Sequence, residues 1–206
     1  MNNKFIWIGG GVLVTVAFLG WLFWASTRPL PGEKLPDLGR EHIEVGKEAT
    51  YNSNPPTSGP HYVDWIRAGI YEDVKDDRNL VHSLEHGYVI MSYNCSHKVT
   101  GYRLEIREAS AHGLDEEATD SGDSTESGQL SDEFRSDECH SLVDQLISIY
   151  DKKGQKKLVI VPRPNLDSRI ALTAWNYLDK FDEFDSERIE KFIDAHRDNG
   201  PERTME

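Results

Sequence analysis

The longest apolar stretch of the chain lies near its start, where residues 5–25 carry no charge. At about 21 residues, it has the ~20 that a helix needs to cross the hydrocarbon core of a bilayer. Trp7 near one end and Trp24 near the other suit the two membrane interfaces. The pattern predicts an uncleaved single-pass transmembrane helix, with residues 1–27 as a membrane anchor. A cleaved signal peptide is the rival interpretation, but Phe23 and Trp24 crowd the Ala-Ser pair at which it would be cut.

A second apolar stretch, residues 80–93, changes its period at a glycine. Its first half fits a short helical segment that places His82 and His86 on one face. Gly87 can end that segment in the left-handed conformation that other residues resist. The second half is rich in β-branched and aromatic side chains, which predicts a buried strand.

The remaining ordered segments alternate between helical and strand patterns. Before the acidic residues, the patterns predict a strand or hairpin at 42–51, a short helix at 62–71 and an edge strand at 99–106. After them, they predict a helix at 139–150, a buried strand at 157–161 and a strand at 169–175 whose composition also permits helix. A final helix is capped by Asp185 or Ser186 and terminated by Gly200 and Pro201. This succession predicts an α+β or α/β fold. We expect a single domain, residues 42–202, with a small mixed β-sheet packed by helices.

Two segments lack the apolar side chains of a packed element. Residues 28–41 contain three prolines and two glycines, a composition typical of an extended tether between membrane and domain. Residues 107–137 are mostly small, polar and acidic. Such a segment buries too little surface to offset its chain entropy, so it is predicted to be a disordered acidic insert.

Charge limits the classes of partner. Of the formal net charge of −13, most comes from twelve acidic residues set against two arginines between positions 105 and 138. The chain has no basic stripe, which excludes nucleic acid as a partner. The partner that the sequence indicates is the lipid bilayer, through residues 5–25. With so short a leader, the N-terminus is expected in the cytoplasm and the domain outside the cell membrane.

The chain has two cysteines, Cys95 and Cys139, which flank the acidic insert. In an oxidising compartment they can pair, and closing that loop is worth about 4 kcal/mol in the chain-entropy description. Two cysteines alone do not establish the compartment.

The segment 52–61, NSNPPTSGPH, has too many prolines for a helix or a central strand. It is predicted to be a stiff loop. Two interpretations stay open: the loop is a structural turn, or it holds His61 at a fixed position.

Several segments together resemble the domain-of-unknown-function family numbered 3105, found mostly as membrane-anchored or secreted proteins of prokaryotes. The segments that carry the resemblance are 51–65 with PPTSGPH, 69–71, 80–93 with HSLEHGY, 158–177 and 184–202. The resemblance implies a common fold and a shared cleft, and it implies no established activity. The chain departs from the family pattern at residues 105–138.

Three histidines lie in the segments that carry this resemblance: His61, His82 and His86. Imidazole is a common ligand of first-row transition metals, so the three are predicted to bind a divalent ion, zinc or copper. Three roles stay open for Glu85: a fourth metal ligand, a hydrogen-bond partner that fixes the tautomer of an imidazole, or a catalytic general base. Met91 could be a soft ligand to copper, although a strand position favours the core.

Three alternatives remain. In the first, the histidines only form hydrogen bonds to buried backbone. In the second, Ser58 or Ser83 forms a hydrolase site with a histidine and Glu85, although neither serine lies in a nucleophile elbow. In the third, the chain is a non-catalytic interaction module of the cell envelope. Its binding surface, which would also serve a substrate, is predicted at the proline loop and its aromatic neighbours: Tyr51, Pro56, Ser58, Tyr62 and Trp65.

Overall fold

The computed structural model describes residues 15–24, 29–97, 130–202 and 204. It divides the chain into two units, Met1–Pro31 and Gly32–Glu206. In the first unit, residues 15–24 are helical. Among the described residues, no helix combines the length and the apolarity that crossing a bilayer requires. The predicted transmembrane stretch 5–25 lies partly outside those residues and stays a prediction.

The second unit is built on one mixed sheet of six strands. They are β1 (Glu33–Lys34), β2 (Gly69–Ile70), β3 (Val89–Tyr93), β4 (Leu158–Pro162), β5 (Ile170–Ala174) and β6 (Tyr177–Phe181). The order across the sheet is β1-β6-β5-β3-β4-β2. β4 runs parallel to β2 and β3, whereas the other neighbours are antiparallel. The predicted α+β class with a mixed sheet is confirmed.

Helices cover the sheet and begin at residues that cap their free backbone amides. They are α1 (Asp77–Glu85), α2 (Asp137–Lys152) and α3 (Ser186–His196), and the side chains of Asp76, Ser136 and Asp185 accept hydrogen bonds from their first turns. The final helix was predicted with this cap, and the strands at 157–161 and 169–175 correspond to β4 and β5.

The two faces of the sheet carry separate hydrophobic layers. β3 alternates between them: Val89 and Met91 pack with α2 and α3, while Ile90 packs with α1. Met91 is fully buried, which confirms its assignment to the core. The layer with α1 is completed by the segment around the proline loop. This second face is therefore the one that positions the histidines.

Part of the predicted tether 28–41 lies on the domain. β1 pairs with β6, and the amide of Leu35 donates to the carbonyl of Asn176 at 2.8 Å. Asp37 accepts hydrogen bonds from Trp175 and Asn176. These partners come from distant sequence, so the local Pro/Gly composition did not reveal them.

The short helix predicted at 62–71 does not form. The amide of Ile66 donates to the Ser83 hydroxyl at 3.0 Å, and that hydroxyl donates to the Ile66 carbonyl at 2.8 Å. The backbone of this segment thus bonds to α1 instead of to its own turn. Gly69 and Ile70 then join the edge of the sheet as β2.

The predicted insert 107–137 and edge strand 99–106 lie mostly or wholly outside the described residues. The end of the insert is described, and it is ordered: Asp132–Arg135 form a 3-10 helix whose Phe134 is buried against Tyr93. Phe134 is one aromatic residue in an acidic segment, and it was too weak a signal to show that the insert ends before residue 137. Cys95 and Cys139 form a disulfide, as the sequence allowed.

Candidate functional site

Helix α1 places two of the predicted site residues. Its Leu80, Val81 and Leu84 pack on the sheet, which fixes the rotation of the helix. His82 and Glu85 lie beside that apolar stripe and are nearly fully buried. Because a buried carboxylate is costly unless it is paired, Glu85 requires a partner.

The proline loop brings His61 to Glu85. The loop is braced at its far end, where the Tyr51 hydroxyl donates to the carbonyl of Pro60 at 2.7 Å. Ser58 is fully buried and its hydroxyl accepts from the amide of Leu38 at 3.0 Å. His61, itself fully buried, then lies with Nε2 at 2.9 Å from Oε2 of Glu85.

One ring nitrogen of His61 and one of His82 bond to the backbone. Nδ1 of His61 is 2.7 Å from the carbonyl oxygen of Gly59, and Nδ1 of His82 is 2.7 Å from that of Tyr62. A carbonyl oxygen only accepts, so both Nδ1 atoms carry the hydrogen. In the neutral rings, Nε2 therefore presents a lone pair. In His61 that lone pair faces the Glu85 carboxylate.

His42, which was absent from the predicted set, completes a group of four. A parallel bridge pairs it with His61, through hydrogen bonds of 2.8 and 2.9 Å on either side. Its ring centroid lies 4.8 Å from that of His61 and 5.0 Å from that of His82. One donor atom from each of His42, His61, His82 and Glu85 lies within 4.8 Å of the others. We call these four residues the inner group.

His86 shares a face with His82, as the spacing predicted, and the ring centroids are 4.5 Å apart. It does not belong to the inner group. Instead, His82, His86 and Glu202 form a second group whose donor atoms also lie within 4.8 Å of one another. We call this the outer group. Glu202 was not predicted, because it comes from the last residues of the chain.

The charge state of His82 follows from its surroundings. Burial lowers its pKa below 6.5, and the nearby rings of His86, His61 and His42 lower it further, against the hydrogen bond from Nδ1 to Tyr62. Its ring is therefore held neutral, which is the form that binds metal.

Arg40 lies beside Glu85, with Nη1 at 3.6 Å from Oε1 of the carboxylate, and its side chain is half exposed.

The remaining predicted binding residues are packed into the domain. Pro56 is buried in the loop, and the buried Tyr62 accepts from the amide of Gly46 through its hydroxyl at 3.0 Å. Trp65 is half-buried, and its ring centroid lies 4.8 Å from that of His86. In the part of the chain that the structure describes, neither Ser58 nor Ser83 is hydrogen-bonded to an imidazole.

The inner group can act as a ligand set for a transition metal. It offers nitrogen lone pairs and one carboxylate, which suit Zn²⁺ and its neighbours in the first row. The Nδ1–H bonds of His61 and His82 to carbonyl oxygens are the kind of contact that orients a metal-binding imidazole. His42 is the most exposed of the four.

Comparison with known families found a match over most of the chain. The sequence model of the family described as "Protein of unknown function (DUF3105)" matches residues 42–113 and 124–206. These ranges contain every residue of the inner and outer groups. The comparison with curated proteins and the comparison with solved structures found no match.

Proposed function

The chain belongs to the DUF3105 family, and we propose that it binds one first-row transition-metal ion through the inner group, His42, His61, His82 and Glu85. The observation that supports this proposal most strongly is the pair formed by His61 and Glu85. When the His61 ring is neutral, two acceptors, an imidazole lone pair and a carboxylate oxygen, face each other at 2.9 Å inside the domain. Arg40 lies beside the other carboxylate oxygen, Oε1, so the contact between Nε2 and Oε2 still needs a metal ion or a proton to be favourable.

Zinc suits the donors better than copper. Three imidazoles and a carboxylate form a ligand set that zinc accepts in tetrahedral geometry. Met91, the residue considered as a soft thioether ligand for copper, is fully buried in the core with α2 and α3, as its strand position favoured. We therefore propose zinc as the ion.

A proton is the competing cation. If His61 carried a proton on both nitrogens, its imidazolium would pair with Glu85 and the site would be structural. With a metal site the chain takes up Zn²⁺, whereas with a protonated His61 it does not. Calorimetry measures this uptake directly.

The experiment is a Zn²⁺ titration of the full chain in detergent micelles. We expect one equivalent to bind, and we expect His61→Gln to weaken binding by more than about tenfold, since even the partners of ligands contribute that much. His140→Gln is the matched control, because His140 is exposed on α2. Equal binding by the original chain and His61→Gln would refute the proposal.

The location of the site follows from a second proposal. We propose that residues 5–25 anchor the chain in the cell membrane, with the N-terminus in the cytoplasm and the domain outside. The Cys95–Cys139 disulfide supports an oxidising compartment, where such bonds persist. The full chain should stay with membranes after carbonate extraction, and a chain that lacks residues 1–28 should be released. A mature N-terminus near Ser26 would instead indicate a cleaved signal peptide.

A further inference from the structure

The outer group shares His82 with the inner group. His86 Nε2 is 3.7 Å from Oε2 of Glu202, and the His86 ring is in contact with the His82 ring. His82 and His86 are nearly fully buried, whereas about half of the Glu202 side chain is exposed. Two imidazoles and a carboxylate are a common set of three protein ligands for zinc.

The C-terminal segment that carries Glu202 is fixed at this position by its backbone. The amide of Glu202 donates to the carbonyl of Glu85 at 3.0 Å, and the amide of Asp198 donates to the carbonyl of Gly87 at 2.9 Å. Between them, Gly200 packs so closely that an added Cβ would lie 2.2 Å from the carbonyl oxygen of Glu85. Glu202 is therefore held beside His86 by contacts that do not depend on its carboxylate.

Lys157 adds a second attachment. Its ammonium group is almost completely buried and donates to the carbonyl oxygens of His86 and Thr204, at 2.9 and 2.8 Å. It also lies 3.0 Å from the carboxylate of Asp198. The end of α1 and the C-terminal segment are thus joined through one fully paired charge.

His82 belongs to both groups but has only one nitrogen to offer. Its Nδ1 donates to the carbonyl of Tyr62, which leaves Nε2 as the available lone pair. A neutral imidazole nitrogen binds one ion. Occupation of the inner group therefore removes His82 from the outer group, and the reverse also holds.

We propose that His82, His86 and Glu202 form a second position for the same divalent cation, and that the two positions exclude each other through His82. This inference rests on the proposed function, because both positions use His82. The inner group has four protein donors and is the tighter position. The outer group has three, which leaves a coordination position open to water or to an exogenous ligand.

The test uses Co²⁺ as the probe, since its visible absorption reports the ligand set, with the full chain and four variants. The variants are His61→Gln, Glu202→Gln, the double variant and Glu187→Gln, a control on the exposed face of α3. Wild type should bind one equivalent, and Glu202→Gln and Glu187→Gln should change its affinity by less than about twofold. His61→Gln should bind one equivalent more weakly with an altered spectrum. Adding Glu202→Gln to it should weaken binding by a further factor of more than about ten.

The outcomes separate the two proposals. Two equivalents bound by wild type would overturn the mutual exclusion. Unchanged Co²⁺ binding when Glu202→Gln is added to His61→Gln would overturn the outer position while leaving the inner one intact. If His61→Gln binds Co²⁺ as tightly as wild type and with the same spectrum, the proposal that the inner group binds the metal is refuted instead. Circular dichroism of every variant distinguishes lost ligands from a lost fold.

Discussion

Nε2 of His61 and Oε2 of Glu85 lie 2.9 Å apart, although the two residues are 24 positions apart in the chain. The contact joins the proline loop to the last turn of α1. Since Nδ1 of His61 donates to Gly59, the nitrogen that faces Glu85 has no hydrogen when the ring is neutral. The pair is therefore sensitive to any change in the charge of either member.

Replacing Glu85 with glutamine should separate metal binding from folding. Glutamine keeps the size of the side chain, and its amide can donate to the His61 lone pair, which the carboxylate cannot do. We expect the metal-free variant to be as stable as wild type or more stable, by about 1 kcal/mol, while Zn²⁺ affinity falls. Urea unfolding with and without Zn²⁺ measures both quantities. A metal-free variant that is clearly less stable would indicate a protonated His61 paired with Glu85.

Lowering the pH should weaken both metal binding and the metal-free fold. The pKa of His82 is below 6.5 in the folded chain, so the unfolded chain takes up its proton first as the pH falls. His82 therefore lowers the free energy of unfolding as the pH falls below about 6.5, and this loss is complete once the pH is below the pKa of His82 in the folded chain. Stability measured from about pH 8 to 5 should decline less steeply in His82→Gln. An identical slope in the two proteins would contradict the neutral state of His82.

Acid should also act on the cap of α1. A hydrogen bond from the Arg78 side chain, aided by one from its amide, lowers the pKa of Asp76 below 3.8. Because this pKa is depressed on folding, the stabilisation is present above 3.8 and is lost as pH falls through the folded pKa. Asp76→Asn keeps the cap, so its free energy of unfolding should fall less steeply than that of wild type as the pH is lowered into the acid range. Asp76→Ala removes the cap and should lower the free energy of unfolding by about 1 kcal/mol at neutral pH. Asp64→Asn, at an exposed position, should match wild type in both measurements.

The disulfide should make a measurable contribution to stability. Replacing both Cys95 and Cys139, which are 44 positions apart, with serine opens the loop that they close. The expected loss in the free energy of unfolding is about 4 kcal/mol. Thiol titration of the unreduced, unfolded chain should find no free thiol. Two reactive thiols would show that the pair is not formed in the protein as produced.

A methyl group at position 200 should disturb the fold. In Gly200→Ala the new Cβ would meet the Glu85 carbonyl oxygen and the Gly87 amide nitrogen at 2.2 and 2.3 Å, so backbone must move. We expect a loss of at least about 1–3 kcal/mol in thermal or urea unfolding. Gly154→Ala is the control, since nothing lies near its Cβ and only its positive φ opposes alanine. A Gly200→Ala chain as stable as wild type would mean that the C-terminal segment is not packed against α1.

The sequence revealed the parts of the site that depend on neighbours in the chain. The spacing of His82, Glu85 and His86 and the break at Gly87 are local, and they gave α1, its end and the shared face of the two rings. Gly87 has the positive φ, +82°, that its position required. The strand that follows was equally clear, because Val89, Ile90 and Met91 are consecutive apolar residues and so place apolar side chains on both faces.

The parts that were missed depend on contacts between distant segments. His42 joins the site only because its segment pairs with that of His61, and no periodicity within 42–51 indicates that pairing. Glu202 reaches His86 through hydrogen bonds at the far end of the chain. Residues 62–71 had helical spacing, but Ser83 supplies the hydrogen bonds of Ile66 instead. Tertiary partners outweighed local propensity in each case.

The position of β3 between β4 and β5 determines when the site can assemble during synthesis. The segments with His42, His61 and His82 leave the ribosome first, but both neighbours of the strand that supports them belong to the last third of the chain. Until β4 has emerged, β3 has two unpaired edges, and one edge stays unpaired until β5 follows, so α1 has no complete sheet to pack on. A growing chain therefore displays its histidines long before it can hold them in place. An ion can meet the assembled ligands only when translation of the domain is nearly finished.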